Sequence, residues 1–203
     1  EHLAIARRFH PEKIEINYNL GLAYLRLHRP AEAAPLFQAV LQTRPDDVES
    51  LGNLGDALVQ QNRLAEAIPH YERAVQLRPE LAGVQNNLGN ALLATGRLEE
   101  AVAHLEQAVR LQPANAEAHF NLGLVLAHLG RLPEAIAHDE AALRLKPGDA
   151  GAQLNLAEAL LQAGRAAESI PHFREALRLD PTMAEARQGL EMAQRNLPRG
   201  PLR

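Results

Sequence analysis

Five asparagines recur at one position of this sequence, and their side chains could hold the backbone of a peptide. Each is followed by a leucine, and each lies 34 residues after the previous one: Asn19, Asn53, Asn87, Asn121 and Asn155. The side-chain amide of asparagine offers both a donor and an acceptor, which complement the carbonyl and the N–H of a peptide group. A row of these amides could therefore bind an extended segment without reading its sequence. In the alternative interpretation, the amides form hydrogen bonds between neighbouring repeats and only hold the chain together.

Side chains near the asparagines could give such a surface its specificity. They are aromatic, acidic or amide residues on the same face of the predicted helices: Tyr18, Glu49, Asp56, Asn86, Asn90, Glu117, Phe120 and Glu158. With the five asparagines they make up the predicted peptide-binding groove. Its acidic edges and its two aromatic side chains favour neutral or basic extended segments. The alternative explanation for the glutamates is that they interact favourably with the dipole at helix N-termini.

Histidines recur at the same spacing, but they do not predict a metal site. They are His2, His70, His104, His138 and His172. A zinc ion needs nitrogen ligands at about 2.0–2.1 Å, and residues one repeat apart are too far from each other for that. We therefore predict no metal and no cofactor. His119 and His128 are expected to face the groove, where they would make binding sensitive to pH.

Nothing in the sequence indicates an active site. A nucleophile–base signature, a phosphate-binding loop and a cluster of metal ligands are all missing from the sequence. No catalytic residue is assigned, and the protein is predicted not to be an enzyme.

The whole sequence, and not only the asparagines, repeats every 34 residues. Closing prolines stand at Pro11, Pro45, Pro79, Pro113, Pro147 and Pro181. Each repeat contains two stretches with helical composition, and the first stretch ends at glycine in three repeats, at asparagine in one and at His28 in another. A residue with left-handed geometry commonly ends a helix and is usually glycine, so His28 should be strained. Glycines inside the first helices, such as Gly89, indicate close helix contact, because glycine costs a helix about 1 kcal/mol relative to alanine.

These motifs resemble the tetratricopeptide repeat. The shared features are the period, the Asn-Leu-Gly segment, the Gly-Arg turn, the Ala-Ile pair before an aromatic residue or leucine, and the closing proline. The resemblance implies an all-α fold, an α-solenoid of antiparallel helix pairs forming a right-handed superhelix, with the first helices on the concave face. The asparagine row is similar to the one that lines the concave groove of superhelical domains such as that of O-linked N-acetylglucosamine transferase. Asp139 departs from the family pattern of an aromatic residue or leucine, which implies a looser or rotated second helix in the fourth repeat.

The period and the resemblance divide the chain into repeats and two ends. Residues 1–13 are predicted to be the second helix of a truncated preceding repeat. The five repeats are predicted at 14–47, 48–81, 82–115, 116–149 and 150–181. Residues 182–197 are predicted to form a capping helix, and residues 198–203 a tail or linker. Capping boxes are predicted where Asp46 and Thr182 each precede a glutamate by three residues.

Composition argues against several classes of protein. The 203 residues include no cysteine, so no disulfide can form, and only 3% of residues are aromatic. A net charge of −4 disfavours nucleic acid, which attracts basic surfaces and aromatic stacking platforms. The sequence has neither a run of about 18 apolar residues nor the plan of a signal peptide. We therefore predict no membrane span and a cytoplasmic location.

The predicted function is a non-catalytic protein–protein interaction module or scaffold that binds an extended peptide segment in its concave groove. Two alternatives remain open. The chain could be a substrate-selecting or regulatory domain of a larger enzyme such as a glycosyltransferase. It could also be an architectural or self-associating subunit that pairs through the truncated N-terminal repeat. The two-carboxylate clamp of co-chaperone repeats is not predicted, because Lys13 and Lys146 lie outside the positions which that clamp uses.

Overall fold

The structure is a computed structural model that describes residues 13–197. Every regular element in this range is an α-helix, which confirms the predicted all-α fold. Residues 1–12 and 198–203 lie outside the described residues, and so do the predicted tail and nearly all of the predicted truncated repeat. The chain divides between Leu111 and Gln112 into two compact units.

Six helices form the described part of the first unit. They are α1 (Ile14–Arg26), α2 (Pro30–Thr43), α3 (Val48–Gln60), α4 (Leu64–Leu77), α5 (Ala82–Ala94) and α6 (Leu98–Leu111). Each helix packs against the next one along the chain, and α3 also packs against both α1 and α5. The odd-numbered helices are therefore the first helices of successive repeats and the even-numbered ones are the second helices, as expected for an α-solenoid.

Five helices form the described part of the second unit. They are α7 (Ala116–His128), α8 (Leu132–Leu145), α9 (Ala150–Gln162), α10 (Ala166–Leu179) and α11 (Ala184–Arg195). Consecutive helices again pack against each other, and α9 also packs against both α7 and α11. The second unit thus repeats the arrangement of the first.

One residue with left-handed backbone geometry lies in the turn between the two helices of each repeat. Its φ is 53° at His28, 58° at Asn62, 78° at Gly96, 72° at Gly130 and 76° at Gly164. This confirms the position predicted from the sequence. Left-handed geometry brings the β-carbon of other residues too close to the backbone, at a cost of roughly 1–2 kcal/mol. His28 bears that cost, while the three glycines do not.

The two helices of a repeat approach closely where a glycine of the first helix faces a large side chain of the second. A β-carbon on Gly21 would lie 2.7 Å from Cζ of Phe37, and one on Gly89 would lie 2.5 Å from Cγ of Leu105. These contacts explain why glycine stands inside the first helices. The leucines that follow the asparagines are buried and at most 6% exposed: Leu20, Leu54, Leu88, Leu122 and Leu156.

Asp139 takes the place of the large apolar side chain in the α7–α8 pair. It is fully buried against Gly123, as Leu105 is against Gly89 in the preceding pair. The predicted looser or rotated helix is wrong, because α8 has 14 residues like α6 and keeps its register. Neither carboxyl oxygen of Asp139 has a hydrogen-bond partner among the described residues. Burial raises the pKa of this carboxyl group to about 8.

The N-terminal caps differ from the predicted capping boxes. Asp47, and not Asp46, caps α3, because the backbone N–H of Ser50 donates to Oδ1 of Asp47 at 2.9 Å. The box predicted at Thr182 is also wrong, since its hydroxyl donates to Asp180 at 2.6 Å. Several acceptors of similar type stand side by side at these helix starts, and only the backbone geometry selects among them.

Candidate peptide-binding surface

The five asparagines lie on the first helices but differ in exposure. Asn19 is exposed, Asn53, Asn87 and Asn155 are half-buried, and Asn121 is only 4% exposed. The face of α1, α3 and α5 that carries the asparagines, and likewise that of α7 and α9 in the second unit, is called the first-helix surface below. We describe it for each unit separately.

Four of the asparagines line open pockets on the first-helix surface. In the first unit, a pocket of about 270 Å³ beside α1 includes Tyr18 and Asn19. A pocket of about 280 Å³ between α3 and α5 includes Asn53 and Asn87. In the second unit, a pocket of about 280 Å³ between α7 and α9 includes Asn155. These asparagines thus border concave surface that is open to a ligand.

The pocket between α3 and α5, which we call the α3–α5 pocket, combines apolar walls with polar groups. Its lining residues are Val48, Glu49, Gly52, Asn53, Asp56, Gly83, Val84 and Asn87. A second pocket of about 200 Å³ shares Asp56 and Asn87 with it and also includes Asn90 and Tyr71. The structure therefore brings together five of the predicted groove residues in the first unit.

A hydrogen-bond network joins the two pockets. Oδ1 of Asp56 accepts from the Tyr71 hydroxyl at 2.6 Å and from Nδ2 of Asn87 at 2.9 Å. Burial raises the pKa of Asp56, and the two hydrogen bonds oppose that rise. Burial and the nearby Asp56 carboxylate raise the pKa of Tyr71, so the phenol stays protonated and remains the donor. Asn87 is bonded across repeats, which is the arrangement that the alternative interpretation of the asparagines expects.

The bond from Asn53 is weaker. Its Nδ2 lies 3.4 Å from the hydroxyl of Tyr18, which is long for a hydrogen bond. The ring of Tyr18 packs edge-on against Phe37 with centroids 6.0 Å apart, so this aromatic side chain is held in place from below. Glu49 is exposed and pairs with Arg78 at 2.9 Å.

Polar groups in the pocket between α7 and α9 are incompletely paired. Nδ2 of Asn155 is buried without a hydrogen-bond partner in the described part of the chain. Glu158 and His128 line the same pocket. Burial raises the pKa of Glu158, the negative charge of Glu185 adds to the rise, and His128 opposes it. The second unit therefore presents a half-buried carboxylate beside one asparagine.

The remaining predicted residues divide into accessible and buried ones. Glu117 and Phe120 line an open pocket of about 840 Å³ in the second unit, together with Lys146. Asn86 and Asn121 are each only 4% exposed. Their exposed surface is therefore small, although they stand at positions that the sequence places on the groove.

A hydrogen-bonded bridge in the repeats escaped the sequence analysis. Nε2 of Gln85 donates to the carbonyl of Pro79 at 2.9 Å, and its Oε1 lies 2.7 Å from Nδ1 of His104. The bridge connects a closing proline to both helices of the next repeat. Oε1 of Gln153 likewise lies 2.8 Å from Nδ1 of His172. The signal was present, since these glutamines lie 68 residues apart, as do their histidine partners.

His119 occupies the place of the glutamine in the fourth repeat. Its Nε2 lies 3.2 Å from the carbonyl of Pro113, and its Nδ1 lies 2.9 Å from Nδ1 of His138. Because His119 is 9% exposed and bonded into this bridge, the prediction that it faces the groove is wrong. His128 is exposed and lines the pocket with Asn155. Burial lowers the pKa of His104 and of its counterparts in two other repeats, which keeps those rings neutral.

Two negative findings concern residues 13–197 only. In this range no group of three or more His, Cys, Asp or Glu side chains is placed to hold a metal ion. None of the helices described there is long and apolar enough to cross a membrane.

Comparison with known proteins identifies related sequences and folds. A family model described as a tetratricopeptide repeat matches residues 18–82, 86–150 and 140–184. No curated protein matches the sequence.

Solved structures of two bacterial-type repeat proteins, YrrB and MamA, are similar to this one. YrrB, described as a TPR protein with an unusual peptide-binding site, has a TM-score of 0.79 at 21% identity, covering 94% of this chain and 98% of its own. A structure of MamA MSR-1 has a TM-score of 0.73 at 28% identity, covering 84% and 98%. MamA from Desulfovibrio magneticus RS-1 has a TM-score of 0.76 at 23% identity, covering 84% and 97%. The likeness to YrrB shows a shared fold alone.

Proposed function

Because the chain belongs to the tetratricopeptide repeat family, we propose that it is a non-catalytic binding module that holds an extended segment of another protein on its first-helix surface. The observation that carries this proposal is the position of Asn19, Asn53, Asn87 and Asn155, which border open pockets on that surface. Neighbouring helices pack about 8–10 Å apart, and an extended peptide advances about 3.3 Å per residue. One step between adjacent first helices therefore corresponds to roughly three residues of a bound segment.

The hydrogen bonds of Asn53 and Asn87 support the architectural alternative, in which the asparagines tie repeats together. Asn87 bonds to Asp56 and Asn53 bonds to Tyr18, in each case across to the preceding repeat. Each of these bonds uses one of the two amide hydrogens of an asparagine. An asparagine can therefore bond within the protein and still offer polar groups to a ligand. The long bond of Asn53 and the exposure of Asn19 make these two residues the ones to test.

Selection from a library tests the proposal. Random ten-residue peptides displayed on phage are panned against the wild type, and selected peptides are synthesised for affinity measurements. Asn19→Ala combined with Asn53→Ala should weaken binding by about tenfold or more, since each asparagine supplies hydrogen bonds to the peptide backbone. The matched control is Gln42→Ala combined with Gln76→Ala, which removes two exposed amides from second helices of the same unit.

The control should bind as the wild type does, and all three proteins should unfold at similar temperatures. Failure to select any peptide would refute the proposal. So would a folded asparagine variant that binds selected peptides as tightly as the wild type, and this second result would favour the architectural role.

A further inference from the structure

The α3–α5 pocket exists because two positions lack side chains. Gly52 and Gly83 stand where other repeats have Tyr18 or Phe120 and a glutamate, respectively. A β-carbon on Gly83 would meet no atom within 4 Å, and one on Gly52 would meet only Cγ2 of Val84, at 3.6 Å. These glycines therefore do not serve close helix packing, unlike the glycines that face second helices. They leave an opening at the level of Asn53 and Asn87.

The size of the pocket suits one side chain. Its volume is about 280 Å³, below the range of about 300–1,000 Å³ typical of pockets that enclose a whole small-molecule ligand. Asn53 and Asn87 both line it. A peptide backbone held by these two amides would therefore pass over the opening, and one of its side chains would point in.

The lining is apolar on its walls and acidic in its polar groups. Val48 and Val84 supply apolar surface, while Glu49 and Asp56 supply carboxylates. Asp56 is half-buried and receives its two hydrogen bonds from neutral donors, Tyr71 and Asn87. No lysine or arginine is among the eight residues that line the pocket. The carboxylate of Asp56 is therefore not balanced by a cation inside the pocket.

The first helices carry the same charge asymmetry along the chain. The sequences of α3, α5, α7 and α9 contain no lysine or arginine. They do contain four carboxylates, at Glu49, Asp56, Glu117 and Glu158. Positive charge that reaches this part of the first-helix surface comes from the loops, as Arg78 does when it pairs with exposed Glu49. A segment that binds over these helices meets an excess of negative charge.

We propose that the α3–α5 pocket is a specificity site for an arginine or lysine side chain of the bound segment. The aliphatic stem packs between Val48 and Val84, and the cationic head reaches the carboxylate of Asp56. Long basic side chains commonly bury their stems while their charged ends stay at polar groups. Leucine or methionine would satisfy the valines but would leave the Asp56 carboxylate without a partner. The inference rests on the proposed function, because the side chain enters only if a segment lies over the pocket.

Variants of Gly83 test the pocket without damaging the fold. Gly83→Leu fills the opening, and Gly83→Ala is its matched control, since it gains helix propensity in the same way but adds only a β-carbon. Asp56→Asn removes the charge while its side-chain oxygen still accepts from the Tyr71 hydroxyl. The probes are peptides selected by the wild type from the random library, resynthesised with arginine, citrulline or leucine at the position where basic residues are enriched.

The expected result is enrichment of arginine or lysine at one peptide position. Exchange of that residue for citrulline should weaken binding to the wild type by about tenfold or more, because a charge-assisted hydrogen bond is lost. The same exchange should have little effect on Asp56→Asn. Gly83→Leu should lose the basic preference, and Gly83→Ala should retain it.

The inference is overturned if peptides bind without basic enrichment, or if the preference survives in both Gly83→Leu and Asp56→Asn. In these cases the proposed function stands, because the segment still binds. If no peptide is selected by the folded wild type, the proposed function fails and the inference fails with it. Folding of every variant is checked by thermal unfolding.

Discussion

Asp139 is the residue whose environment differs most from its chemistry. The carboxyl group is fully exposed to water in an unfolded chain, but in the folded protein it is buried against Gly123 without a hydrogen-bond partner in the described residues. A buried carboxyl group avoids this penalty by remaining protonated. The α7–α8 pair therefore binds a proton that the unfolded chain releases, and its stability depends on pH.

We predict that the free energy of unfolding falls as pH rises between about 4 and 8. The pKa of Asp139 is raised to about 8 in the folded protein, above an unfolded value of about 3.9. Between these values the folded state holds more protons than the unfolded state, so stability declines with pH by up to about 1.4 kcal/mol per unit for one group. Urea unfolding at a series of pH values measures this slope.

Two substitutions isolate the contribution of Asp139 from that of histidines that titrate in the same range. Asp139→Asn should flatten the slope, because the side chain keeps its shape but no longer ionises. Asp139→Leu should also raise stability at pH 8 by a few kcal/mol, since Leu105 packs against Gly89 in the same way in the preceding repeat. A slope that is unchanged in both variants would show that Asp139 is not its source.

At the scale of the helix pair, the glycines of the first helices have two different roles. Gly89 faces Leu105, and a β-carbon there would lie 2.5 Å from Cγ of that buried side chain. Gly83 lies on the same helix, and a β-carbon there would meet no atom within 4 Å. Composition alone does not separate these two residues, because both are glycines inside one predicted helix.

We predict opposite effects of the same substitution at these two positions. Gly89→Ala should destabilise the protein by about 1–3 kcal/mol, the usual cost of overpacking a core. Gly83→Ala should stabilise it by up to about 1 kcal/mol, because alanine favours the helix. Midpoints of urea unfolding compare the two variants with the wild type. Equal effects of the two substitutions would mean that helix propensity, and not packing, decides both.

Elements were predictable from the sequence where one residue type is needed at one place. The period placed the turn residues correctly, because only glycine adopts left-handed geometry without cost, and His28 and Asn62 follow the same position. The caps were less predictable, since Asp46 and Asp47 are chemically equivalent. The response to Asp139 was also missed. The sequence shows that a polar residue replaces leucine, but the choice between rotating α8 and burying a neutral carboxyl group depends on the packing of the whole pair.

For the whole molecule, the sequence predicted the residues of the candidate surface better than their exposure. The 34-residue period correctly assigned the asparagines to first helices, and four of them border open pockets. It did not predict that Asn86 and Asn121 are each only 4% exposed, because burial depends on neighbouring repeats. It also did not predict the α3–α5 pocket, which arises only when Gly52 and Gly83 are seen to face the same space.

The asparagine side chains themselves provide the most direct test of the central claim that the first-helix surface binds an extended segment. Their amide groups give separate signals in the ¹H–¹⁵N NMR spectrum, which can be followed while a library-selected peptide is added. We predict that the side-chain signals of Asn19, Asn53 and Asn87 shift as the peptide saturates the protein, while those of Gln42 and Gln76 on second helices stay in place. Shifts confined to second helices, with the asparagine signals unchanged, would contradict the account.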